Sequence, residues 1–186
     1  MIANLLFAIL KKFFKLYILI SKKMNLKDHI RSIPDYPKKG ILFRDITTLI
    51  KNNNAFVKTI DEMVVKSKKF KVDKIAAMES RGFVFASALS YILKKPFILL
   101  RKKNKLPAET YSVDFELEYG KATMQVHKDS IDKNDNVLLI DDLIATGGTA
   151  EAAAKLIELS DGNVSGFIFV INLFDLGGSD KLIKKG

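Results

Sequence analysis

Two adjacent carboxylates, Asp141 and Asp142, follow the apolar run Val137-Leu138-Leu139-Ile140 and precede a loop of small residues, Ala145-Thr146-Gly147-Gly148-Thr149. The run is short, bulky and unbroken, as a parallel strand covered on both faces should be. Gly147 and Gly148 allow a tight turn and a close approach of backbone to a ligand. Thr146 and Thr149 add hydroxyl donors beside the free N–H groups that open the next helix, a ready site for a phosphate dianion. The aspartates are unsuited to that phosphate, because like charges repel. They suit vicinal hydroxyls, a bound Mg²⁺, or both. A phosphate cradle a few residues beyond two hydroxyl-binding carboxylates describes a ribose 5-phosphate site. The loop lacks the Gly-Lys-Ser/Thr ending of a Walker A sequence, and it is not the Gly-x-Gly-x-x-Gly dinucleotide fingerprint.

Such residues need strands to carry them. Phe56, Ile60, Met63 and Val64 recur at helical spacing. Lys74 to Met78 predicts a buried strand, Gly82 to Leu93 a helix, and Phe97 to Leu100 a second strand ended by a basic loop. Thr123 to His127 alternates and predicts a hairpin with Phe115 to Leu117. Val137 to Ile140, Gly148 to Leu159 and Gly166 to Ile171 predict strand, helix and strand. This alternation implies right-handed crossovers and an α/β fold with a doubly wound, mainly parallel sheet. Ligands then collect at the carboxyl ends of the strands. Three motifs, Glu79–Gly82, Arg101–Pro107 and Asp141–Thr149, each directly follow a predicted strand.

At 186 residues the chain has the length of one domain. Its hydrophobic fraction of 48% and charged fraction of 28% are those of a soluble globular protein. Cysteine is absent, which excludes disulfides and thiolate zinc sites and fits a reducing cytoplasm. The two histidines, His29 and His127, have no ligand spacing, and no protein-held metal site is expected. The net charge of +10 is concentrated at one end: Lys11, Lys12, Lys15, Lys22 and Lys23 lie in the first 24 residues, which contain no acid. Without a recognised nucleic-acid motif beside it, that charge does not make a nucleic-acid-binding protein. A positive field also serves an enzyme of polyanionic sugar phosphates.

The Asp141–Thr149 stretch resembles the signature of the type I phosphoribosyltransferases. Further motifs are similar to those of the adenine phosphoribosyltransferases within that family: Arg31-Ser32-Ile33-Pro34-Asp35-Tyr36-Pro37 with Gly40 to Thr47, Glu79-Ser80-Arg81-Gly82-Phe83, Arg101-Lys102 with Lys105-Leu106-Pro107, Leu117-Glu118-Tyr119-Gly120, and Asn172-Leu173-Phe174-Asp175. The likeness runs from about Leu26 to the last residue. It implies a small N-terminal hood and a flexible loop hairpin on the sheet. It also implies conversion of adenine and phosphoribosyl pyrophosphate to AMP and pyrophosphate, in a cytoplasmic homodimer of purine salvage. Mg²⁺ would be carried mainly by the substrate rather than by a protein cage. The rival readings are a xanthine or hypoxanthine transferase and a phosphoribosyl-pyrophosphate-sensing regulator on the same fold.

The resemblance assigns roles to substrate-binding residues. Asp141 and Asp142 hold the ribose hydroxyls, and Ala145, Thr146, Gly147, Gly148 and Thr149 hold the 5-phosphate. Ser80 and Arg81 meet the pyrophosphate, where a guanidinium can make fork-like contacts. The bland alternative for Arg81 is a salt bridge to Glu79 or another neighbour. Arg101, Lys102 and Lys105 belong to the loop that closes over the site, Arg101 and Lys105 as catalytic residues. Asn104 stands where the family usually has glycine, and asparagine tolerates the left-handed backbone such a turn requires. Leu42 and Arg44 read the adenine edge through backbone groups, with Phe43 against the ring or, blandly, in a core. Glu118 matches an acidic residue that assists proton movement at the purine.

Both ends of the sequence depart from this pattern. Residues 1 to 24 hold apolar blocks too short to span a bilayer and match no secretory signal. One reading is a basic amphipathic helix on a membrane surface; the favoured one is upstream sequence outside the core, with the phosphoribosyltransferase domain running from 25 to 186. Beyond Gly186 the family continues with a final strand and tail; either the sequence is truncated or that strand's place is left open.

Overall fold

The computed structural model describes residues 24–117 and 120–184. They fall into two compact units that divide between Asp61 and Glu62. In the first, Asn25 caps a 3-10 turn, Leu26–His29, by accepting the Lys27 N–H at 3.3 Å. Strands β1 (Arg31–Pro34) and β2 (Leu42–Asp45) pair antiparallel, with Arg31 opposite Asp45 and Ile33 opposite Phe43. The Thr47 N–H donates to Asp45 Oδ1 at 2.9 Å, where helix α1 (Thr47–Lys51) begins, and Arg31 Nε donates to Asp45 Oδ2 at 3.0 Å. These two contacts hold the Asp45 carboxyl down at about 2. Helix α2 (Asn53–Ser67) starts in this unit, with Ala55 and Ile60 buried.

The second unit is built on a six-stranded sheet. Its elements are β3 (Lys74–Met78), α3 (Gly82–Leu93), β4 (Phe97–Lys102), β5 (Thr110–Leu117), β6 (Gly120–His127), β7 (Asn136–Ile144), α4 (Gly148–Leu159), β8 (Asn163–Asn172) and α5 (Gly178–Lys184). The strand order is β5-β6-β4-β3-β7-β8. Strands β4, β3, β7 and β8 run parallel, and the β5–β6 hairpin joins the edge of β4 antiparallel. This is the mixed α/β, mainly parallel sheet that the alternation of patterns predicts.

Val137, Leu138, Leu139 and Ile140 have no solvent exposure, because a helix covers each face of the sheet. Val137 and Leu139 share a core with Ala76, Met78 and Leu100 and with Ala153, Leu156 and Ile157 of α4. On the other face α3 packs on β3 and β7 and buries Phe85, Ala86 and Leu89. Full burial of each such side chain contributes about 1.5–3 kcal/mol. That is why this stretch of sequence has no polar alternation.

Five strands run further than apolar periodicity predicts, β6 and β8 starting three residues early at Gly120 and Asn163. β4 continues through Arg101 and Lys102, which pair with Gln125 and Met124 of β6. β7 continues through Asp141 and Asp142 to Ile144, since β8 still lies alongside as far as Asn172. β5 starts at Thr110, giving an eight-residue hairpin arm. Backbone pairing sets these ends, and it is indifferent to side-chain polarity.

Candidate active site

A cavity of about 620 Å³ opens where β3, β4 and β7 end, within the size range of small-molecule sites. Its walls include Ser80, Arg81, Arg101, Lys102, Asp141, Asp142 and the loop Ala145 to Thr149. The topology thus brings together most of the residues that the sequence singles out. Lys105 lies apart from this lining, exposed in the turn after β4. Leu42, Phe43 and Arg44 belong to the first unit. There Phe43 meets the Tyr36 ring edge-on at 5.1 Å and the Arg44 guanidinium donates to Ser32 Oγ. Leu42 and Arg44 are two apart on β2, so their backbone polar groups point to one side. Glu118 falls outside the described residues, as do residues 1 to 23.

Asp142 is buried and Asp141 half-buried. Removal from water and the neighbouring Asp142 charge push the Asp141 carboxyl up to about 8. Burial raises Asp142 as well, against the opposing pull of Arg81. Asp141 Oδ1 accepts the Asp142 N–H at 2.8 Å, which fixes the pair's geometry. Gly82 leaves room for it: a Cβ there would stand 2.8 Å from Asp141 Oδ1. Arg81 Nε lies 2.9 Å from Asp142 Oδ2, so the salt bridge considered for Arg81 forms, with Asp142 as partner rather than Glu79.

Glu79 has another role, missed in the sequence. The parallel register that sets Met78 beside Leu100 brings Glu79 level with the start of the basic segment. Glu79 Oε2 accepts from the Lys102 N–H at 3.0 Å and from Arg101 Nε at 3.3 Å. Burial pushes the Glu79 carboxyl up, but these contacts outweigh it and hold it below its ordinary value. Arg101 and Lys102, expected in the loop, are therefore strand residues anchored at the mouth of the cavity. The turn proper spans Lys102 to Lys105, closed by the Lys105 N–H on the Lys102 carbonyl at 3.3 Å. Asn104 occupies its left-handed position, with φ 64°.

The loop Ala145 to Thr149 also rests on a residue that no motif marks. Gly147 has φ 88° and leads into α4, whose first residues Gly148, Thr149 and Ala150 line the cavity. Gly178, more than 30 residues on, donates its N–H to the Ala145 carbonyl at 3.0 Å. A Cβ on Gly178 would stand 2.3 Å from that oxygen and 2.7 Å from Gly147 N. The only sequence signal was the pair Gly177-Gly178 just beyond a strand.

Two outcomes follow from this geometry. A carboxyl held up to about 8 keeps a proton that the unfolded chain, at an ordinary 3.8, gives up. Its contribution to stability is complete below about 4 and is lost as pH rises toward 8. Asp141→Asn keeps the acceptor for the Asp142 N–H without the charge. Thermal melts of the substrate-free protein at a series of pH values should fall less steeply for this variant, which should gain on the order of 1 kcal/mol at pH 8. An identical pH slope in both proteins would contradict the account. Gly178→Ala should push the phosphate loop out of place while Gly177→Ala, with no neighbour within 4 Å of its Cβ, is strained only in its own φ of 69°. Titration with phosphoribosyl pyrophosphate should show affinity about tenfold weaker for the first than for the second, and equal affinities would remove Gly178 from the site.

Comparison with known proteins shows the family. The phosphoribosyl transferase domain model matches residues 47–172. The adenine phosphoribosyltransferase of Pelagibacter ubique (strain HTCC1062) is 76% identical over 163 residues, covering 88% of this chain and 93% of that protein. The crystal structure of the adenine phosphoribosyltransferase of Thermoanaerobacter pseudethanolicus superposes with a TM-score of 0.82 at 46% identity, covering 84% of this chain and 91% of the other. The Giardia lamblia enzyme complexed with 9-deazaadenine gives a TM-score of 0.82 at 32% identity, over 88% and 94% of the two chains. The chain therefore belongs to the phosphoribosyltransferase domain family and, within it, to the adenine phosphoribosyltransferases.

Proposed function

We propose that this chain transfers the phosphoribosyl group of phosphoribosyl pyrophosphate to a ring nitrogen of adenine, releasing pyrophosphate and forming AMP for purine salvage. One observation carries the division of labour: paired carboxylates, a helix-opening phosphate loop and two arginines line one cavity at the strand ends. Asp141 and Asp142 take the ribose hydroxyls. Thr146, Thr149 and the N–H groups from Gly147 take the 5-phosphate. As the bond to the anomeric carbon breaks, positive charge develops on the sugar and negative charge on pyrophosphate. Ser80, Arg81, Arg101 and Lys102 stabilise the second, and Lys105 adds positive field. Glu118 handles the purine proton. Backbone at Leu42 and Arg44 matches the N1 acceptor and N6 donor of adenine, with Phe43 against the ring.

Mg²⁺ fits this donor set as a passenger of the substrate. No cluster of three or more His, Asp or Glu able to hold a metal exists among the described residues, while Asp141 and Asp142 offer hard oxygen donors beside the hydroxyl site. Bound with the substrate, the ion would neutralise charge on the leaving pyrophosphate. A homodimer is supported by the outer side of α3, where the apolar Val84, Tyr91 and Ile92 are exposed. A cytoplasmic setting is supported by the lack of cysteine. No helix among the described residues is long and apolar enough to cross a membrane. Residues 1 to 24 are proposed to lie outside the domain of 25 to 186.

Pyrophosphate release with adenine and with hypoxanthine tests the base assignment. A keto oxygen at position 6 meets a carbonyl acceptor, so adenine should win by up to about 10⁴ in kcat/KM. Comparable efficiencies would move the chain to a different base. Started at Met24, the protein should keep its turnover and gain solubility; a folded but inactive product would place the extension in the working enzyme.

A further inference from the structure

We infer that Gln125 is the positioning residue that fixes the basic turn Lys102 to Lys105 at the site, an inference that rests on the proposed role of that segment. Gln125 lies on β6 between two partners, Arg101 of β4 and Ser112 of β5. Directly paired residues of neighbouring strands project from the same face. Its side chain is therefore beside the Arg101 guanidinium's stem and can reach the turn that follows. Its Oε1 accepts the Asn104 N–H at 2.9 Å. Its Nε2 donates to Ser112 Oγ at 2.9 Å and to Thr110 Oγ1 at 3.2 Å. A backbone N–H can only donate, so the amide oxygen must face Asn104 and the nitrogen must face the hydroxyls.

The turn needs such a tie. Asn104 carries φ 64°, which a side chain adopts at a cost that glycine would avoid. The closing bond from the Lys105 N–H to the Lys102 carbonyl is long, at 3.3 Å. Two further ties reach the turn: the Lys103 N–H donates to the Thr123 carbonyl at 3.1 Å, and Arg101 Nη1 donates to the Lys105 carbonyl at 3.2 Å. Gln125 anchors the strained residue itself to the β5–β6 hairpin. Arg101 is gripped from its other side by Glu79. Glu79 and Gln125 thus hold the strand end and the turn from two directions; Glu79 is in the cavity wall, and Gln125 stands behind it. Loss of the Gln125 acceptor leaves the Asn104 N–H to water and the turn free to relax, taking the Lys102 to Lys105 charges out of register with pyrophosphate.

Steady-state kinetics of the full chain with Gln125→Leu, Gln125→Glu and Arg101→Ala separate the alternatives. Leucine keeps the bulk and removes the acceptor. Glutamate keeps the acceptor for Asn104, and the Thr110 and Ser112 hydroxyls can rotate to donate to it. Gln125→Leu should lower kcat/KM for phosphoribosyl pyrophosphate about tenfold, with the KM for adenine unchanged. Gln125→Glu should recover to within about threefold of the parent, which a merely structural loss of packing would not do. A folded Gln125→Leu with parental kinetics, or a Gln125→Glu no better than leucine, overturns the inference while a large loss in Arg101→Ala leaves the site reading standing. Parental turnover in Arg101→Ala removes the basic segment from the site, and the inference falls with it.

Discussion

A carboxylate taken out of water costs several kcal/mol unless cations or hydrogen bonds compensate it. Strand β7 takes out two in succession, Asp141 and Asp142, at the end of the run most deeply buried in the sheet. Much of the surrounding architecture answers that demand. Arg81 lies against Asp142, the Asp142 N–H returns to Asp141, and Gly82 stands back to make room. The compensation is incomplete, and the Asp141 carboxyl remains high. That residual cost is one that a ligand with hydroxyl donors can reduce, by adding hydrogen bonds to those the protein supplies.

The cationic side of the cavity is held by a separate device. Free arginines and lysines at a cavity mouth would spread over many rotamers and lose about 2 kcal/mol each in entropy on binding. Glu79 removes part of that loss for Arg101 before any substrate arrives. It also neutralises part of the charge, so Arg101 is positioned at the expense of field strength. Lys102, in the cavity wall, and Lys105, on the turn, are exposed to solvent.

What could be read from the sequence was whatever depends on neighbours along the chain. The β7 strand, the glycine turn and the α4 start are one local pattern, and all appear where the residues place them. The left-handed Asn104 was equally local. What was not legible depends on register. Nothing in the residues says that Glu79 comes level with Arg101, that Gln125 stands between Arg101 and Ser112, or that Gly178 returns to the Ala145 carbonyl. Strand ends failed for the same reason: Asp141, Asp142, Arg101 and Lys102 are polar, and only a partner strand makes them extended.

The Arg81–Asp142 pair carries the consequence for selectivity. On the proposed roles, one member waits for pyrophosphate and the other for ribose hydroxyls, and each presently satisfies the other. A ligand with phosphates alone would draw Arg81 away and leave a buried carboxylate without its cation. A ligand with hydroxyls alone would compete with the guanidinium for Asp142. Breaking a partly buried pair from one side costs more than the pair contributes, because the remaining charge is stranded. Only a molecule that presents hydroxyls and pyrophosphate together compensates both halves at once. On those roles, desolvation of Asp142 makes a ligand that carries both groups the one best matched to the pair.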